Sequence, residues 1–187
     1  IRGEANQKGD IVPRRFLEIL AGPNRPTFKE GSGRKELAEA IANPANPLTP
    51  RVMMNRVWLH HFGQGFVATP DDMGTQAGKA VNQPLLDFLA YEFVRGGWRL
   101  KPVHKAIMMS SVYMQGSETS SANAEKDPAN RALWRYNVRR LDFEAMRDSL
   151  LYISGKLDMK EIGGHPVNIV EEPFSNRRSV YGYIDRA

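Results

Sequence analysis

Between Arg51 and Gly74 the chain reads RVMMNRVWLHHFGQGFVATPDDMG, and this stretch constrains the fold more than any other. Thr49-Pro50 reads as a helix start, because threonine caps an orphan backbone N–H and proline is pre-set for the first helical position. The helix is predicted to run to about Phe62 and to stop at Gly63, a residue suited to a left-handed C-cap. Val52, Leu59 and Phe62 fall on one face, with Met54 and Trp58 beside them. So much apolar surface on one short helix predicts burial on more than one side.

The same stretch gathers Arg56, His60, His61, Asp71 and Asp72. His60 and His61 close the last turn, where an imidazolium favours the negative end of the helix dipole. Imidazole next to carboxylate invites a metal reading. The spacing opposes it: chelating histidines on one helix stand three or four apart, whereas adjacent residues point about 100° apart. At most one of the pair faces any given site, and no metal ligand is assigned. The alternatives are a metal-free polar site and a structural role, in which a histidine caps carbonyls while Asp71 and Asp72 shape a turn.

The chain's 187 residues, 41% of them apolar, suffice for one domain with a core. With no cysteine, disulfides, thiolate metal sites, c-type haem attachment and cysteine nucleophiles are excluded. No run of about 18 apolar residues is present to span a membrane. Ile1 is not a natural start, so the chain is expected to be a fragment of a larger multidomain protein. The net charge of +5 comes from 26 basic and 21 acidic residues spread along the chain. Arginine pairs recur at Arg14-Arg15, Arg139-Arg140 and Arg177-Arg178. Nucleic-acid binding needs a concentrated patch with aromatics for stacking. These arginines are instead expected to pair with carboxylates, and nucleic acid is the least favoured partner.

Taken in order, residues 1–12 read as an incoming linker. Pro13 opens a helix through Leu20 that Gly22-Pro23 stops. Ser32 is placed to cap a helix with the stripe Leu37, Ala38, Ile41 and Ala42. Asn82-Gln83-Pro84 starts a helix to about Arg95, with Leu85, Leu86, Leu89 and Phe93 on one face. Trp98 and Leu100 are expected to dock on the core. Another helix runs from Lys101-Pro102 to about Tyr113, with His104 at its boundary. Residues 115–126 carry no apolar periodicity and read as a surface loop. Asp127 is placed to cap a short helix through Trp134. Asp142 caps a helix with the stripe Phe143, Met146, Leu150 and Ile153, ended by Gly155. Ser179 to Ile184 is the best strand candidate, with Val167 to Val170 as its partner. The expected fold is mainly α: an irregular multi-helix single domain with long loops and at most a short β-hairpin near the C-terminus.

No nucleotide-binding glycine pattern, H-E-x-x-H or G-x-S-x-G is present. Longer stretches do carry a resemblance. They are RVMMNRVWLHHFGQGFVATPDDMG, QPLLDFLAYEFVRGGWRLKPVHKAIMMSSVYMQ, DPANRALWRYNVRRLDFEAMRDSLLYISGKLD and RRSVYGYIDR, joined by RGEANQKGDIVPRRFLEIL near the start. In these the chain resembles a planctomycete-specific domain of unknown function that follows cytochrome-C-type domains in large bacterial proteins. The resemblance implies an extracytoplasmic setting, with neighbouring domains of the same polypeptide, a cytochrome C domain among them, as partners. Haem is then expected only in that neighbour, with no cofactor in this chain. The family pattern continues past the position of Arg186 with a further helical segment.

The favoured function is a structural or protein-interaction module. The alternative is an enzyme, a hydrolase or a haem-coupled oxidoreductase acting on an anionic polysaccharide-like substrate. In that reading His60, His61, Asp71 and Asp72 supply acid–base groups, and Arg56, Arg177, Arg178 and Tyr181 bind substrate. Any such site is expected where Arg51 to Gly74 meets the tail around Arg177 to Tyr181.

Overall fold

The structure, a computed structural model, describes residues 9–183. It is mainly α, with no sheet among the described residues. Two compact units make up the chain, residues 1–137 and 138–187. The first unit carries α1 (Glu18–Ala21), α2 (Arg34–Ile41), α3 (Leu48–Phe62), α4 (Gln83–Arg95), α5 (Leu100–Met108), α6 (Ser111–Met114) and α7 (Ser121–Lys126). The second carries α8 (Phe143–Ile153) and a 3₁₀ turn, Ser179–Tyr181.

α3 is the helix the apolar pattern demands. Met54, Val57, Trp58 and Phe62 are buried on it, and Leu86, Leu89, Ala90 and Phe93 of α4 close over them. Val103 and Ile107 of α5 complete the cover. α3 ends at Gly63 with φ 79°, a left-handed conformation that glycine adopts without strain. Its start differs from expectation. Thr49 lies inside the helix and donates its hydroxyl to the Ile41 carbonyl, while Asn46 Oδ1 accepts from the Leu48 N–H.

α4 begins as read, with Asn82 accepting from the Leu85 N–H, and Trp98 packs edge-on to Phe93 at 5.2 Å. Arg51 Nε donates to Asp87 Oδ1 at 2.7 Å and ties α3 to α4. That hydrogen bond first, with a second from Gln83, holds the Asp87 carboxyl below its ordinary value, against a smaller opposing cost of burial. A lowered native pKa gives stability that is present above the unfolded value of about 3.9 and lost as pH falls through the native value. Asp87→Asn is therefore expected to cost less than about 1 kcal/mol near neutral pH, because the pair is partly exposed. Urea denaturation of both proteins should show the gap closing below about pH 4; a gap that widens in acid contradicts it.

Several local expectations are corrected. The helix from Pro13 shortens to α1, because Arg15 makes an isolated bridge to Thr27 and Arg14 O accepts from the Phe28 N–H. Gly33, at φ 76°, precedes α2 in place of a Ser32 cap. The helix after Lys101 breaks at Met109, because the Ser110 hydroxyl donates back to Ile107 O and accepts from the Tyr113 N–H to start α6. Half of residues 115–126 is helical, as α7. Residues 128–134 form turns and no helix. The two carboxylate oxygens of Asp127 accept from the N–H groups of Arg131 and Ala132 and close a turn instead. In the tail, Ser179–Tyr181 is a 3₁₀ turn rather than a strand, closed by Gly182 N–H donating to Ser179 O. Val167 still meets this segment, through one parallel bridge to Gly182. Ile184 lies outside the described residues.

Candidate functional site

The segment after α3 is anchored by Asn55, whose side chain is fully buried. Its Nδ2 donates to Val67 O at 3.1 Å and its Oδ1 accepts from Val67 N–H at 3.0 Å. The chain can pass this close only at Gly65, where an added Cβ would lie 2.6 Å from Val67 O and 2.7 Å from Asn55 Oδ1. Beyond it, Arg56 pairs with Asp71 at 2.8 Å on an exposed surface, where such a pair contributes little. Asp72 Oδ1 accepts from the Gly74 N–H, and the Thr69 hydroxyl donates to Asp72 O. Asp72 thus shapes the turn. His60 is exposed on the last turn of α3.

His61 behaves differently from its neighbour. Its Nε2 lies 2.8 Å from His104 Nδ1 on α5, so one ring donates and the other accepts. Tyr113 meets the His61 ring edge-on at 5.5 Å. The Tyr136 hydroxyl donates to His61 O at 2.9 Å, which satisfies a helix-end carbonyl. The sequence reading placed His104 at a boundary and did not join it to His61. The two stand 43 positions apart, and no local spacing signals the pairing.

A pocket of about 180 Å³ lies beside this end of α3. Trp58, Phe66, Leu85 and Leu133 form its apolar walls, and Gln64 and Arg131 add polar groups. Gln64 Nε2 is fixed by donating to Asn130 O at 2.6 Å. The Asp127 turn sets the neighbouring loop. The Ala132 and then the Arg131 N–H hold the Asp127 carboxyl below its ordinary value. Sequence reading missed Gln64 and Arg131, because their importance comes only from bordering this space.

Arg177, Arg178 and Tyr181 belong to the second unit. Arg177 is buried, donates to the carbonyls of Gly163 and His165, and lies 4.5 Å over the Tyr181 ring. Arg178 is half exposed and lies 3.8 Å from Asp148. Asp148 Oδ1 also accepts from both the N–H and the hydroxyl of Ser179. Arg147 donates to the carbonyls of Ser175 and Arg177. These arginines are spent largely on backbone oxygens. Among the described residues no three His, Asp or Glu side chains converge as a metal ion would require.

With this geometry established, residues 33–187 match the family PSD1, described as a protein of unknown function (DUF1553). The chain belongs to the PSD1 family. The PSD1 match includes α2 to α8, the His61–His104 pair and both arginine pairs near the C-terminal end. No curated protein and no solved structure matches the chain. No helix among the described residues is long and apolar enough to cross a membrane.

Proposed function

We propose that the PSD1 chain is a protein-interaction module whose docking element is α8. The carrying observation is the stripe Phe143, Met146, Leu150 and Ile153, exposed by 49%, 49%, 62% and 81%. An amphipathic helix normally spends such a stripe on a core. Here the second unit buries no apolar side chain among its described residues; its buried side chains are Arg177 and Ser179. An uncovered stripe at helical spacing suits a groove on a partner. Burying it is worth on the order of several kcal/mol. The resemblance supports a neighbouring domain of the same exported polypeptide as that partner, with a cytochrome C domain as the first candidate. Haem then resides in the neighbour.

A photoreactive phenylalanine analogue placed at Leu150 in the natural polypeptide tests the reading. Cross-links to a segment outside residues 1–187 are expected. Cross-links confined to residues 1–187, or none at all, overturn it.

A further inference from the structure

The walls of the pocket beside α3 are better organised than packing alone requires. Trp58 is 7% exposed and stacked 4.4 Å from Phe66, so its indole cannot turn. Its N–H donates to no protein group among the described residues, yet it is not sealed from solvent. A buried tryptophan normally satisfies that donor. Gln64 spends its Nε2 on Asn130 O, and its Oε1 accepts no hydrogen bond among the described residues. Arg131 is exposed, and its guanidinium makes no hydrogen bond or ion pair among the described residues. Its charge is felt by Asp127, whose carboxylate also accepts from the Ala132 and Arg131 N–H groups. Trp58, Gln64 and Arg131 line the pocket together, which so combines apolar walls with residues that carry a donor, an acceptor and a cation.

We propose that this pocket binds a small monocarboxylate with an aryl or branched apolar body. The volume, about 180 Å³, sets the size. An apolar cavity of about 150 Å³ accepts a benzene ring, so this one takes a phenyl group with a short acid arm. The apolar body lies against Phe66, Leu85 and Leu133. The carboxylate takes charge-assisted hydrogen bonds from Arg131, for which a guanidinium fork is well matched. The indole N–H gives a second, neutral donor that orients the group. Gln64 Oε1 accepts from a hydroxyl or ammonium where the ligand carries one. The site lies wholly within the first unit and is independent of the α8 reading.

The test is titration of the 187-residue chain with phenylacetate, followed by the indole N–H resonances of its three tryptophans. A saturable shift of the Trp58 resonance is expected, with a dissociation constant on the order of 1 mM for so small a probe. Arg131→Gln, at an exposed position, should weaken binding by about tenfold without unfolding the chain. Ala132→Trp, also exposed, should block the pocket and abolish the shift. Toluene should bind more weakly than phenylacetate. The proposal is overturned by a Trp58 resonance that does not respond up to about 10 mM. It is equally overturned if Arg131→Gln binds as tightly as the parent chain, or toluene as tightly as phenylacetate.

Discussion

Asn55→Ala is expected to destabilise the first unit by about 2–4 kcal/mol. Asn55 is completely buried and acts as a surrogate strand for Val67, giving a donor to its carbonyl and an acceptor to its N–H. Val67 is itself buried, so water cannot replace the lost partner. Each orphaned backbone group then costs about 1–3 kcal/mol. Asn55→Leu fills the space but leaves the same two groups unpaired, and so should fare no better. Asn55→Asp keeps the acceptor, loses the donor and buries a charge. Gly65→Ala should mimic the defect from the other side, because its Cβ would push on Asn55 Oδ1 and Val67 O. Urea denaturation followed by tryptophan fluorescence measures all four. A loss below about 1 kcal/mol in Asn55→Ala would show that the segment re-pairs elsewhere.

Arg177→Ala is expected to cost the second unit about 1–3 kcal/mol, because it strips the carbonyls of Gly163 and His165 of their charged donor. Arg177 is the centre around which that unit closes. It bonds the carbonyls of Gly163 and His165, stacks on Tyr181 and lies 3.6 Å from Glu161. Its own carbonyl is held by Arg147. With no buried apolar side chain among the described residues of its unit, no apolar core there compensates when the guanidinium is removed. Arg177→Lys should recover little, since an ammonium lacks the planar fork that spans two carbonyls and stacks on a ring. Amide hydrogen exchange reads the effect where it occurs. The N–H groups of Val167 and Tyr183, bonded to Tyr181 O and Val167 O, should lose protection while α3 and α4 keep theirs. Unchanged protection at Val167 and Tyr183 would show that Arg177 does not hold the unit together.

The particular elements show what was legible. The ends of α4 and α8 were readable because Asn82 and Asp142 bond N–H groups three residues away, within the reach of a local pattern. The strand read at Ser179 was not, because its β-branched and aromatic composition was overridden by Asp148, which holds the Ser179 N–H from 31 positions away. Of the site residues named from sequence, Arg56 with Asp71, and Asp72 with Gly74, fall into exposed surface contacts. His61 acquires its partner on α5, and Arg177 is directed into the backbone of its own unit. Gln64 and Arg131 carried no signal at all, since a polar residue beside a turn is unremarkable until a pocket forms next to it.

The sequence by itself determined a mainly α chain, its principal helices, the N-caps of α4 and α8 with the Gly63 stop of α3, and membership of a family through long matched stretches. The helices and their caps follow from periodicity and from hydrogen bonds closed within about four residues. Only the tertiary structure decided that α3 is covered while the equally regular stripe of α8 is not, that Asn55 serves Val67, and that His61 meets His104. Each depends on which distant segments the chain brings together to bury surface, and a helical stripe records only that a face is apolar, not what lies against it.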